Sequence, residues 1–599
     1  MRNGYIPHKS PIAQGEQAIN VADASATVFS PIAKAKGNEL DVFAYLWELL
    51  ANMADWDHTD EYLEDLMPWS EFSRNQCCRS GFRLIISIWG YVYQMSDYCA
   101  LTIDNLNGVI FKSLKNLEVD MDNITKLAQS SSLPITQKSR TWGPLDMYFI
   151  ASGFAIATWS FLSGGFCASV VSFKVAVACT VGGSSVGFLM LAIAMGFISS
   201  KYGIDGFNGM IPSLGRNFMM ILLVAFAAVG IGWVAVLGTM VAGAVQNVTF
   251  ELTGQKLPHL VYSTIGILAI FSAWMVIRRG TNDLKWVNRV IVPCILFCCG
   301  MMAVVIIKDY GWQNLLNAKP VNPYPEAGFN VTLIFEIMIG GGISWFTGWG
   351  GLVRVTKTER VSFWPNLLAI GITAPITAGI ATAAGYAVGN ADPTKWMIPL
   401  GGVGLGIVAL IFVCAANIGS AATQMYVTAI GLKQFGLLKN KSWTFTSLCI
   451  AIPTMIMCLF NESVYTHFSI LLVLSSLMYS PICAIMIVDY FGFRKKEINL
   501  RALYDTSLAS AYRYIGGINF GGVLAFVIGV LVYCVLLNPF TYTYTWAFVP
   551  IGASIPSFVA SGITYTVWVF FYDRKHNMGD REYYVRYREF IRNDKVVVR

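Results

Sequence analysis

Residues Val331–Val353, VTLIFEIMIGGGISWFTGWGGLV, are long and apolar enough to cross a membrane and hold six glycines in the twelve positions from Gly340 to Gly351. About 20 residues at 1.5 Å each span roughly 30 Å of hydrocarbon. Inside lipid every backbone amide must be bonded internally, so glycines that loosen a helix are of use only beside a protein-lined cavity. Glycines also let helices pack closely, which is the commoner reason for any one pair; six so close together are poorly explained by packing alone. A second interrupted pattern lies five spans earlier, in 148–170, with Ser152-Gly153 and Ser163-Gly164-Gly165. That separation is expected when two five-helix halves repeat with inverted topology and each opens with a discontinuous helix.

The rest of the chain has the same character. Of 599 residues, 55% are hydrophobic and 13% charged, with a mean hydropathy of +0.55, too few charges to clothe a soluble protein of this size. Twelve apolar stretches are long enough to span: 148–170, 173–199, 217–244, 260–278, 287–307, 331–353, 366–388, 400–432, 443–461, 465–491, 517–537 and 546–571. With both termini inside, the inner loops hold 17 Lys and Arg and the outer loops five, the asymmetry the positive-inside rule demands. The net charge of +7 therefore belongs at a cytoplasmic membrane surface and does not indicate nucleic acid. Three regions follow: a partly helical cytoplasmic N-terminal region 1–147, a transporter domain 148–571, and a basic cytoplasmic tail 572–599. The N-terminal region carries 12 basic and 18 acidic residues. Within it, Leu40 to Phe72 has the pattern of two amphipathic helices, and Leu84 to Met95 is too short to span. Cys77-Cys78 is either an acylation site or chemically idle.

The 13 cysteines include no CxxC pair and the five histidines are scattered, which excludes a disulfide scaffold and a zinc cluster. No span holds a nucleophile and base together, so an enzyme is not expected; the lack of a P-loop argues against an ATP-driven pump. Three features are candidates for function. Glu336, the clearest ionisable residue within a span, is either a proton-coupling carboxylate or outer gate, or a mouth residue reaching water. Asn417, Ser420 and Gln424 share one face of span eight, which binds an ion or ligand or else glues helices. Trp233, among the small residues Gly230-Ile231-Gly232 of span three, is a stacking platform or a packed aromatic.

At these residues the chain resembles the nucleobase:cation symporter-1 family, which includes cytosine, purine, allantoin and hydantoin permeases. The segments that carry the likeness are Gly230-Ile231-Gly232-Trp233 through Met240-Val241-Ala242, Val292-Pro293, Ile343-Ser344 through Leu352-Val353-Arg354, and Ser480-Pro481 through Val488-Asp489-Tyr490 and Arg494. The resemblance implies an all-α, LeuT-like five-plus-five inverted repeat with two extra helices. It also implies a heterocycle held between spans one, three, six and eight by Trp233, Gly230, Leu237, Ser344, Gly342, Trp345 and Gln424. Ala155, Thr158, Asn417, Ser420 and Thr423 would serve the coupling ion. Leu237 stands where relatives often carry an amide, and Ala421 follows Ser420 where they carry a second hydroxyl, which weakens a sodium site and shifts weight toward protons.

The expected activity is import of a nucleobase-like heterocycle by Na⁺ or H⁺ symport across the plasma membrane, with no cofactor. Its partners would be the small-molecule substrate and the bilayer. A same-fold carrier of an amino acid or vitamin, or a receptor that binds without transporting, are the competing expectations.

Overall fold

The computed structural model describes residues 133–573 except 279–281, 390–392, 461–467 and 506–509. The amphipathic stretch, the short apolar run, Cys77-Cys78 and the basic residues from Arg574 onward all lie outside the described residues.

The apolar stretches form helices that we number α1 (Pro144–Ala155), α2 (Thr158–Val170), α3 (Phe173–Tyr202), α4 (Gly206–Leu214), α5 (Arg216–Thr253), α6 (His259–Arg278), α7 (Asn288–Asp309), α8 (Ala327–Ile343), α9 (Phe346–Val353), α10 (Glu359–Val388), α11 (Lys395–Leu432), α12 (Trp443–Phe460), α13 (Ser469–Phe493), α14 (Phe520–Leu536) and α15 (Ser554–Tyr572). Among the described residues ten helices are long and apolar enough to cross a membrane, eleven if the bent pair α1 and α2 is one span. By that measure the twelve expected crossings become ten or eleven, and α14, at 17 residues, is the short member. Side-chain caps mark several starts. The Asp205 carboxylate accepts from the amides of Phe207 and Asn208 to open α4, and Asn519 does the same for Gly521 and Gly522 at α14. Such caps satisfy amides that have no partner within the helix. Near its start α11 turns sharply at Gly402, with φ 65° and ψ 175°, a conformation open to glycine and costly for other residues.

Packing follows the inverted repeat. Span one packs on span seven through α2 and α10, and span six packs on span two through α8 and α3. Exchanging the halves turns one pair into the other. Spans three and eight, α5 and α11, pack on each other and map onto themselves. Glycines make these contacts close. A Cβ at Gly164 would strike the Ala378 carbonyl of α10, and one at Gly342 would strike the Ser184 carbonyl of α3. Gly340, Gly348 and Gly350 likewise press on Leu472, Val427 and Gly206. The expectation that this glycine cluster exceeds what packing needs is therefore corrected: four of the six serve close helix contact.

The two interruptions also differ. Span one is truly broken, with Ala157 extended (φ −65°, ψ 168°) and the two halves bent by 52°. Span six only tightens at Ser344 and Trp345, whose dihedrals stay near the helical region. The Ser344 amide still donates to Gly340, and those of Gly348 and Trp349 to Trp345. Of the three consecutive glycines, Gly340 and Gly342 serve close neighbours here rather than unwinding.

One end of the bundle is stitched by basic residues. Asp489 and Arg494, both buried, form an ion pair at 2.5 Å. The Tyr565 hydroxyl donates to the carboxylate at 2.9 Å, and Arg494 donates to the Pro212 carbonyl at 2.8 Å, joining α13 to α15 and α4. Nearby, Asp205 also accepts from the Gln434 amide at 3.1 Å; burial pushes its carboxyl above the usual range while the charge of Arg354 pulls it back. Arg494→Met leaves Asp489 buried without its counter-charge and is expected to destabilise the fold by about 3–5 kcal/mol. A lowered midpoint of thermal unfolding in detergent, partly restored by Asp489→Asn in the same background, is the outcome that checks this.

Candidate functional site

The break in span one exposes polar backbone that the chain itself satisfies. The indole N–H of Trp159 donates to the Phe154 carbonyl at 3.0 Å, across the interruption. The Ser160 amide and hydroxyl both donate to the Ala157 carbonyl, at 3.0 and 3.1 Å, and that hydroxyl lies 2.8 Å from Thr377 on α10. These bonds hold the two half-helices at a fixed angle.

A small pocket lies against this break. Its walls are Phe154 and Trp159 from the two sides of the break, Trp233 and Leu237 from α5, Ser344 and Trp345 from the turn in span six, and Gln424 from α11. Spans one, three, six and eight therefore converge, as the family resemblance implies. The rings meet edge to face: Phe154 and Trp345 with centroids 4.3 Å apart at 81°, Trp159 and Trp233 at 6.2 Å and 85°. Such an arrangement presents π faces and apolar edges to a flat ligand. The space between them that a water can enter is only about 10 Å³, enough for roughly one water. In this conformation the pocket is too small to admit a heterocycle.

Five of the seven substrate residues expected from the sequence line the pocket; Gly230 and Gly342 do not. Gly230 lies behind Gln424, where a Cβ would come 2.7 Å from Thr428 Oγ1 and 3.3 Å from Gln424 Nε2. Gly342 faces α3 as described above. Phe154 and Trp159 also line it and are not among the residues named from the sequence, although an aromatic beside a helix break is a signal that could have found them.

The residues expected to serve a coupling ion are placed less evenly. Ser420 donates its hydroxyl to the Gly153 carbonyl at 3.3 Å, bringing span eight onto span one just before the break. Ala155, which closes α1, and Asn417, on α11, are both buried. Thr158 opens α2. Thr423 spends its hydroxyl proton on Gly419 of its own helix, at 2.9 Å. Ser420 thus joins the two elements through its side chain.

The remaining coupling candidate is Glu336, on α8. It is 1% exposed, and α8 begins four residues earlier than the sequence suggests, at Ala327. Its carboxylate accepts the backbone amides of Ala553 and Ser554, each at 3.2 Å, and the Ser554 hydroxyl. The expectation of a residue at a water-filled mouth is corrected: Glu336 caps the N-terminus of α15, where free amides and the helix dipole favour a carboxylate. The position lies eight residues from Ser344, about 12 Å along the helix.

With this geometry in place, sequence comparison is decisive. The profile of a family described as permeases for cytosine/purines, uracil, thiamine and allantoin matches residues 134–569. The chain belongs to the nucleobase:cation symporter-1 family. The purine-uracil permease NCS1 of Arabidopsis thaliana is 21% identical over 443 residues, covering 66% of this chain and 69% of that protein. The fold matches Mhp1, a transporter of the same family. In its closed conformation with bromovinylhydantoin bound, Mhp1 gives a TM-score of 0.60 at 18% identity over 75% of this chain and 99% of Mhp1. The inward-facing form gives 0.62 at 17% identity over 76% and 97%. A Na⁺-coupled sialic acid symporter gives 0.51 at 14% identity over 77% and 97%. The chain is thus an all-helical membrane protein of the LeuT-like class in a family of permeases.

Glu336→Gln sets an amide NH₂ against donors and is expected to lower thermal stability while leaving the pH profile of transport unchanged. A pH profile that flattens in this variant would return the carboxylate to a coupling role.

Proposed function

We propose that the protein is a secondary active importer of a nucleobase-like or related nitrogen heterocycle, driven by a cation and working by alternating access. The observation that carries this reading is the aromatic-walled pocket on the break of span one, closed by spans three, six and eight, in a chain of a permease family. Trp233 is the stacking platform, Trp345 and Phe154 close over the ring, and Ser344 and Gln424 read its edge. Stacking on an indole is worth about 1–3 kcal/mol per base and tolerates many rings, so choice among substrates falls to the polar edge. The cation, Na⁺ or H⁺, is proposed to act where Ser420 meets Gly153, with Asn417, Thr423, Ala155 and Thr158 around it. A sodium ion needs several oxygens there, and Ala421 supplies none. The membrane is the plasma membrane, with both termini cytoplasmic, in keeping with the basic loops.

A vitamin is the second reading, favoured by the presence of thiamine in the family's description. A thermal-shift screen of purines, pyrimidines, hydantoins, vitamins and amino acids, each with and without sodium, separates the two, because a ligand bound only by the native state raises its stability. Stabilisation by a heterocyclic base, and uptake of it into proteoliposomes, is the expected result. Binding without uptake would indicate a receptor. Trp233→Ala is expected to weaken binding by roughly tenfold or more, and an unchanged affinity in titration would count against the pocket as the substrate site.

A further inference from the structure

Gln424 reaches the pocket from α11, and its neighbours determine which end of its amide faces a ligand. Nε2 donates to Thr347 Oγ1 at 3.1 Å and to Thr428 Oγ1 at 3.5 Å. The Thr428 hydroxyl has a single proton and gives it to the backbone carbonyl of Gln424, 2.8 Å away; its oxygen can then only accept. Turned the other way, the amide would set its oxygen against the Thr428 oxygen, which has no proton left to give. Gly230 leaves room for this end of the amide, since the side chain it lacks would come 3.3 Å from Nε2. Both amide protons are thus directed to the protein, and Oε1 is the end left for the pocket. The other polar side chain from span six is committed in a similar way, since Ser344 donates its hydroxyl to the Gly341 carbonyl at 2.9 Å. Leu237 offers no polar atom.

We infer that Gln424 acts only as a hydrogen-bond acceptor, so that the transported ring presents an N–H or amino donor to span eight, with Thr347 and Thr428 as positioning residues that lock the amide. This rests on the pocket being the substrate site and specifies the chemistry of what it takes. A free glutamine side chain can rotate its amide and accept or donate as the ligand requires; a locked one cannot. The site therefore discriminates between rings of the same shape in which an amino group and the ring nitrogen beside it exchange donor and acceptor roles, because at the fixed position of Oε1 the wrong one leaves a buried acceptor facing an acceptor. Thr347 lies on α9, just past the turn in span six, while Gln424 and Thr428 lie on α11. The lock is complete only when spans six and eight are together.

The test measures binding of cytosine, uracil, adenine and hypoxanthine to the purified full-length protein and to Thr347→Val/Thr428→Val, Thr428→Val, Gln424→Met and Trp233→Ala. Each pyrimidine or purine pair differs by amino against carbonyl at one carbon, with the ring nitrogen beside it changing from acceptor to N–H donor. Within a pair that binds, the unaltered protein is expected to prefer one member by at least about tenfold. The double variant should compress that preference to within about threefold, because the amide is free to turn. Thr428→Val alone should move in the same direction, which keeps the test informative if the double variant fails to fold. Gln424→Met should weaken the preferred member and leave the other little changed. No preference in the unaltered protein, or a preference that survives both threonine variants, overturns the inference. If Trp233→Ala still weakens every ligand in that case, the pocket stands as the substrate site and only the lock is wrong. Failure of all four bases to bind overturns the heterocycle reading, and the inference with it.

Discussion

A helix that stops within a bilayer leaves amides and carbonyls that lipid cannot bond, and each costs several kcal/mol unless the protein supplies a partner. At Ile156 and Ala157 the partners are local. Trp159 reaches back to the Phe154 carbonyl, and Ser160 takes that of Ala157 while meeting Thr377 on span seven. The bonds that make the break tolerable also place two aromatic rings at its edge, so the pocket walls are a by-product of satisfying the backbone. The remaining walls, from spans three, six and eight, close against an opening that span one alone creates.

Much of this was legible in the sequence. Hydropathy located the membrane helices because long apolar runs have few other uses. Trp233 and Gln424 stand out from the small-residue and apolar segments around them, whereas Leu237, Ser344 and Trp345 are named as site residues only through the family resemblance. The glycines of span six were misjudged, since composition does not distinguish a glycine that loosens its own helix from one that admits a neighbour; only the backbone of Ser184 or Leu472 beyond it decides. The surroundings of Glu336 were out of reach for a related reason: its partners Ala553 and Ser554 lie more than 200 residues away in the chain, so the helix terminus it caps cannot be read beside it.

The basic end has its own logic. Arg494 and Asp489 are hidden from solvent as a pair with three further partners among Tyr565, Tyr514 and Pro212, an arrangement in which register matters more than net stabilisation. Asp205, Gln434 and Arg354 tie the start of α4 to the ends of spans eight and six. Ionic and amide contacts thus gather where the loops are basic, while the middle of the bundle relies on aromatic and small side chains.

The backbone contacts made through Gly164 and Gly342 limit how this protein can move. Where one main chain rests directly on another, there is no layer of rotamers to reshuffle, and the two rods cannot ratchet past each other by a turn. Spans one and seven, and spans two and six, are thereby welded at those points, and any large displacement has to be taken up along seams lined by bulkier side chains.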